Sequence, residues 1–438
     1  MKPGLLAFAG LALVFAASSA RAVDIQEVTS PLGIKAWLVE DKSAPVIALS
    51  FSFEGGTATE PDARKGVTGF MATMLTDGAG ALPARAFRLR EEDTSASLGF
   101  GASPDRLSGS LRVLAANRDQ GFDLLRSALV EPRFDSDMLE QRRSQTIASL
   151  NQSEQRPASV ADRRLMAVMF AGHPYGRSVA DRVETLGAMT PDDLKARAAQ
   201  LLTRRGLIVA AVGDIDPAEL GRQLDRTFGA LPKGEAQPAL PDWVPPTQAR
   251  TIVIERPVPQ SAVRMAMPGV SRDDPDWYPA LVLAHILGGG QQSRLFTEVR
   301  ERRGLAYSIS TGLRTATKAA LLTISTANAN EHVAEALRLI RLELARLRSE
   351  PVGAEELADA KTYLSGSLAL SLDSSGAIAG LLHSLQVDRL PRDILDKRAG
   401  LIAAVTAEDI NRVARRLLRD EAITTVVVGK PTGVVSDP

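Results

Sequence analysis

Arg300 and Tyr307 stand seven residues apart in the run FTEVRERRGLAYSI, from Phe296 to Ile309, and are the residues of this sequence best suited to handling a peptide. A guanidinium and a phenol both donate hydrogen bonds, so together they can hold a peptide carbonyl oxygen. Arg300, Arg302 and Arg303 close a predicted helix, where positive charge complements the helix dipole, and Gly304 can end the turn. A capped helix followed by a packed tyrosine has the same pattern. Just upstream, Gly288, Gly289 and Gly290 finish an apolar helix, where they can cap it, bend the chain away or let a bound chain approach the backbone. No lysine follows them, so they are not a phosphate-binding loop.

Metal chemistry has little to draw on. The four histidines, His173, His285, His332 and His383, are isolated from one another, and there is no cysteine. A structural zinc site takes four ligands and a catalytic one three plus water. His332 falls near a helix start, His383 in an apolar helical run, His285 before Ile286-Leu287-Gly288, and His173 in the turn His173-Pro174-Tyr175-Gly176-Arg177. Each fits a structural role, although His173 can also touch a ligand. No nucleophile elbow or dinucleotide fingerprint is present. The acid pairs Asp135/Asp137 and Glu355/Glu356 read as solvated surface.

The elements that must carry these residues follow from periodicity. Residues 61–75 predict a helix whose core stripe is Val67, Phe70, Met71, Met74 and Leu75, with Gly69, Ala72 and Thr73 on a different face. Glycine inside a helix costs about 1 kcal/mol against alanine, which hints that a side chain is unwelcome at 69, and close packing of another element would explain it. Strands are predicted over 34–39, 45–53, 95–101, 107–113 and 206–212, with helices from 118 to 202 and over 217–228. Residues 189–215 align without a gap to 405–431, each with a threonine cap, an amphipathic helix and a strand ending in Val-Gly. Ser43-Ala44 and Ser261-Ala262 give a second echo at an offset of 218. A duplicated α+β domain follows, the halves joined by the proline-rich segment LPKGEAQPALPDWVPP, 231–246. A stripe of Val333, Leu337, Ile340, Leu344 and Leu347 predicts an ordinary surface helix in the second half.

The N-terminus, with Lys2, an apolar stretch from Leu5 to Ala17 and Ala20-Arg21-Ala22, reads as a signal peptide cleaved after Ala22. The remainder is long enough for two domains and holds no apolar run long enough for a membrane anchor. Without Lys2 and Arg21 the balance is 50 basic residues against 52 acidic ones, which gives nucleic-acid binding no electrostatic support.

Over nearly all of the mature chain these segments resemble the M16 metallopeptidases, the family of pitrilysin, insulin-degrading enzyme and mitochondrial processing peptidase. Glu54–Glu60 and Gly66–Met74 are similar to the family's zinc-helix region, with Gly69-Phe70-Met71-Ala72-Thr73 where active members carry HxxEH. The resemblance puts Gly69 and Thr73 at the metal histidines, Ala72 at the general base and Ser149 at the distal glutamate ligand, a degenerate zinc site. Gly288–Gly290, Ser293–Phe296 and the Arg300/Tyr307 pair are similar to the distal domain's substrate-holding groups, which act at the zinc of another domain. It implies two homologous M16-type domains, 23–230 and 247–438, each a mainly antiparallel sheet packed by helices, forming half of a clamshell. It further implies a non-metal-binding partner subunit of a periplasmic heterodimeric zinc peptidase, with no cofactor here, zinc in an HxxEH-containing companion of similar length, and a peptide as substrate. The alternative is a non-enzymatic peptide-binding or assembly protein of the same fold.

Overall fold

The computed structural model describes residues 24–437 apart from Ser178, so the expected leader, 1–22, lies outside the described residues. The first half contains β1 (Gln26–Thr29), β2 (Lys35–Glu40), β3 (Val46–Glu54), β4 (Ser97–Ala102), β5 (Arg106–Leu114) and β6 (Ile208–Gly213). They form one sheet in the order β1-β2-β6-β3-β5-β4, antiparallel except where β6 runs parallel to β2. The second half contains β7 (Arg250–Glu255), β8 (Gln260–Pro268), β9 (Ala306–Ala316), β10 (Ala319–Ala329) and β11 (Thr424–Gly429), in the order β9-β10-β8-β11-β7. Its single parallel pair is β11 with β7. The second sheet therefore repeats the first without the equivalent of β1, as a duplicated α+β domain requires. Between the two sheets, residues 231–249 form no helix or strand.

Alternation explains how β3 serves two layers. Ile47, Leu49, Phe51 and Phe53 enter the core under the first sheet, where Phe51 and Phe53 meet edge-to-face and Phe228 joins them. The other face carries small residues, Ala48, Ser50 and Ser52, and is covered by helix Ser375–Val387 of the second half, which seats Ala379 and Leu382 on Ala48, Ala210 and Val212. Reciprocally, helix Pro157–Met169 of the first half lies on β8 and β11, packing Val160, Ala161 and Leu165 against Ala262, Ala266, Val426 and Val428. Each half thus lends a helix to the other's sheet.

The repeat is legible in its caps. Thr190 and Asp193 form a reciprocal capping box on helix Pro191–Leu201, and Thr406 and Asp409 form the same box, 216 residues later, on helix Ala407–Leu417. Gly213 and Gly429 end the following strands with positive φ, where a Cβ would run into the neighbouring strand. The second echo needs correction. Ile47 opposes Gly213 and Ser261 sits against Gly429, so the equivalent residues of β3 and β8 are separated by 214, and the Ser-Ala dipeptides coincide by chance.

The helix expected over 61–75 is shorter, Val67–Met74. Asp62–Arg64 form a 3-10 turn, and Gly66 precedes the helix at φ 91. The cap comes from outside the first turn: the Glu60 carboxylate accepts from the Gly66 and Thr68 N–H groups at 2.7 and 2.8 Å. Among the described residues no single helix is long and apolar enough to cross a membrane.

Candidate functional site

Helix Val67–Met74 is packed by helices Ser136–Glu154 and Pro191–Leu201 and by β4. That enclosure reaches farther round than the stripe predicted: Ala72 is only 3% exposed and belongs to the core, not to an outer face with Gly69 and Thr73. At Gly69 an added Cβ would meet nothing within 4 Å, so neither close packing nor steric exclusion explains this glycine. Thr73 is exposed and its hydroxyl donates to the Phe70 carbonyl at 2.7 Å. Ser149 is exposed on Ser136–Glu154, a helix held to the first by Arg142 on the buried Asp77, at 2.5 and 2.7 Å.

An absent side chain, a methyl, a threonine bound to its own helix and a lone serine do not fit a zinc ion. Among the described residues no three His, Asp or Glu side chains come together in a way that could hold a metal. His173 holds its turn, accepting from the Tyr175 N–H and bonded to the Pro241 carbonyl. His285 stacks on Tyr363, and His332 lies in the turn before helix Val333–Ser349.

The start of the Val67–Met74 helix is instead fixed by buried arginine, which sequence reasoning missed. Arg197, 4% exposed, donates to the Thr68 and Thr59 hydroxyls and the Gly56 carbonyl at 3.0, 2.8 and 2.8 Å. Burial pushes its guanidinium down to about 10. Arg177 donates to the Thr57 and Glu60 carbonyls. In sequence Arg197 is one arginine in an amphipathic helix, with no local mark of its inward turn.

The second group is drawn together. Residues Phe296–Glu301 form a π-helix, with the Arg302 N–H bonded to the Thr297 carbonyl, and Gly304 at φ 62 reverses the chain into β9. The Arg300 guanidinium lies 4.6 Å from the Phe296 ring centre and 5.6 Å from that of Tyr307. Tyr307 sits at the bulge between Ala306 and Ser308 and is 80% exposed, so it is not a packed tyrosine. Glu298 takes both Arg302 and Arg303, and among the described residues the Arg300 guanidinium and the Tyr307 hydroxyl have no hydrogen-bond partner. The pair is therefore preassembled, accessible and uncommitted. Phe296, the platform under Arg300, was not foreseen, although its i, i+4 spacing from Arg300 was available.

The glycines divide. A Cβ on Gly288 would lie 2.6 Å from Thr311 Cγ2 and 3.1 Å from its backbone nitrogen, so this glycine lets helix Trp277–Gly288 approach β9. A Cβ on Gly289 would strike His285 of the same helix. Gly290 alone of the three lines a cleft of about 890 Å³, shared with His285, Arg294, Glu298, Glu356 and Tyr363.

Residues 35–182 match the family model described as Insulinase (Peptidase family M16), and residues 188–364 match Peptidase M16 inactive domain. An uncharacterized zinc protease of Streptomyces coelicolor is 26% identical over 90% of this chain and 87% of its own length. A Helicobacter pylori protein described as a non-peptidase homolog is 27% identical over 62% of each chain. Among solved structures, a peptidase M16 inactive domain from Pseudomonas fluorescens superposes with a TM-score of 0.87 at 28% identity, covering 95% of this chain and 99% of that one. The periplasmic protease PqqL of Escherichia coli shares the fold at 17% identity and TM-score 0.79, this chain spanning 46% of its length.

Proposed function

The chain belongs to the M16 peptidase family, and from that premise we propose that it is a non-metal-binding, peptide-binding member, working in the periplasm. The observation that carries this reading is the uncommitted Arg300–Tyr307 pair on Phe296, retained in a chain whose zinc-helix region offers no ligand. The descriptions of the Pseudomonas structure as an inactive domain and of the Helicobacter relative as a non-peptidase homolog agree with it. The same pair favours a second reading. A guanidinium and a phenol that donate to a carbonyl oxygen are of most use where negative charge develops on it, so the chain would lend them to the zinc site of an HxxEH-containing companion.

The test uses the purified chain with an unstructured labelled peptide, followed by fluorescence anisotropy and metal analysis. No stoichiometric zinc and a saturable peptide affinity that Arg300→Gln weakens by about tenfold are expected. One tight zinc per chain, or peptide affinity indifferent to Arg300, overturns the reading. Mixing with a companion separates the two versions: Tyr307→Phe lowers turnover of the pair by about 100-fold if the tyrosine serves the partner's site. Unchanged turnover leaves peptide binding alone.

A further inference from the structure

A hollow of about 420 Å³, none of whose lining residues belongs to the groups above, lies where the β1–β2 turn, the loop before β6 and the start of the linker meet. It is lined by Leu32 to Lys35, Arg204, Arg205, Leu207 and Lys233. Four of these are cations and none is acidic, in a chain with 52 of each sign. The backbone keeps the cations together. The Arg204 and Arg205 N–H groups donate to the Pro232 and Lys233 carbonyls at 2.8 and 2.9 Å, tying the linker to the loop.

The cations are poorly compensated. Lys35 reaches Glu27 at 3.1 Å in an exposed pair, and Arg205 is 4.0 Å from Glu54, contacts of small worth in water. Among the described residues Arg204 and Lys233 have no carboxylate partner, and the Arg204 Nε is shielded from solvent without a hydrogen-bond acceptor. A hollow lined by charges of one sign with little carboxylate around them concentrates anions, and an anion seated there would supply the missing counter-charge. We propose that this hollow binds a phosphate-class anion, held chiefly by Arg204 and Lys233 with Arg205 and Lys35 around it. The planar donor fork of arginine suits tetrahedral oxyanions, and several cations around one ligand favour a multiply charged anion over a single carboxylate. Leu32, 56% exposed, supplies an apolar rim that a lipid phosphate could also use.

The test titrates the whole chain calorimetrically with inorganic phosphate and tripolyphosphate at low ionic strength. In parallel, it is co-sedimented with vesicles of phosphatidylcholine alone or mixed with phosphatidylglycerol. Saturable binding is expected, weakened by about tenfold in Lys233→Gln and further in Arg204→Gln/Lys233→Gln. Lys195→Gln, which removes an exposed cation elsewhere, should bind as the parent does. Binding of the soluble anions without vesicles assigns free phosphate, and binding only of phosphatidylglycerol vesicles, lost in the same variants, assigns a lipid headgroup. Because Lys233 is exposed, its single variant remains informative should the double variant fold poorly. No binding of either kind, parental binding by Lys233→Gln, or equal weakening by Lys195→Gln overturns the proposal.

Discussion

At Gly69 the helix carries a glycine with no packing reason, so both explanations the sequence offered, an unwelcome side chain and a closely packed neighbour, fall away. Since an added methyl meets nothing within 4 Å and the helix continues on both sides, Gly69→Ala should raise stability by about 0.5–1 kcal/mol, read as an increase in the thermal midpoint. A lower midpoint would show that the position is closed after all. The buried stripe of this helix was legible because Val67, Phe70, Met71 and Met74 recur at helical spacing. Ala72 was not, because how many sides of a helix are covered depends on segments such as 136–154 and 191–201 that are distant in sequence. The seven-residue spacing singled out Arg300 and Tyr307, but the placement of the Arg300 guanidinium against the Phe296 and Tyr307 rings was not legible, because it follows from the π-turn.

At the scale of elements, local chemistry was read well where caps are local and poorly where they are not. Thr190/Asp193 and Thr406/Asp409 announce their helices within four residues, whereas the Val67 helix is capped by Glu60 across an intervening turn. The π-helix had no signature, since its extra residue per turn is set by how Phe296–Glu301 packs on β9 and on helix Val333–Ser349, both later in the chain. The close approach of helix Trp277–Gly288 to β9 makes Gly288 sensitive. Gly288→Ala places a carbon 3.1 Å from the Thr311 backbone nitrogen, which cannot move as a side-chain tip can, and should destabilise by about 1–3 kcal/mol. Urea unfolding measures this loss. Because β9 also carries Tyr307, peptide affinity should fall in the same variant while helix content by circular dichroism stays near the parent's. A stability equal to the parent's would mean that the helix is not pressed against the strand.

Across the whole molecule, the reciprocal helices are the feature least legible in the sequence: 157–169 falls within the helical stretch 118–202 and 375–387 in the apolar helical run around His383, and nothing local says which sheet either covers. Their junction includes a polar seam with a pH consequence. His383, on helix Ser375–Val387, shares a 2.6 Å hydrogen bond with the Ser52 hydroxyl, which also accepts from Arg106 Nε at 2.6 Å. Burial, with the Arg106 charge adding to it, pushes the His383 imidazole down to about 4 from an ordinary 6.5. Between those values the unfolded chain takes up a proton that the folded chain refuses, so folding stability falls as pH drops from 6.5 towards 4 and loses nothing further to this group below that. The full loss is on the order of 3 kcal/mol. His383→Gln keeps a side chain able to bond Ser52 and removes the titration, while every carboxylate is unchanged. Urea unfolding of parent and variant from neutral pH down to about 4 should therefore show the parent losing more stability than the variant, the difference opening below 6.5. Parallel curves would mean that the imidazole protonates in place and that the helix from the second half does not hold it dry against β3.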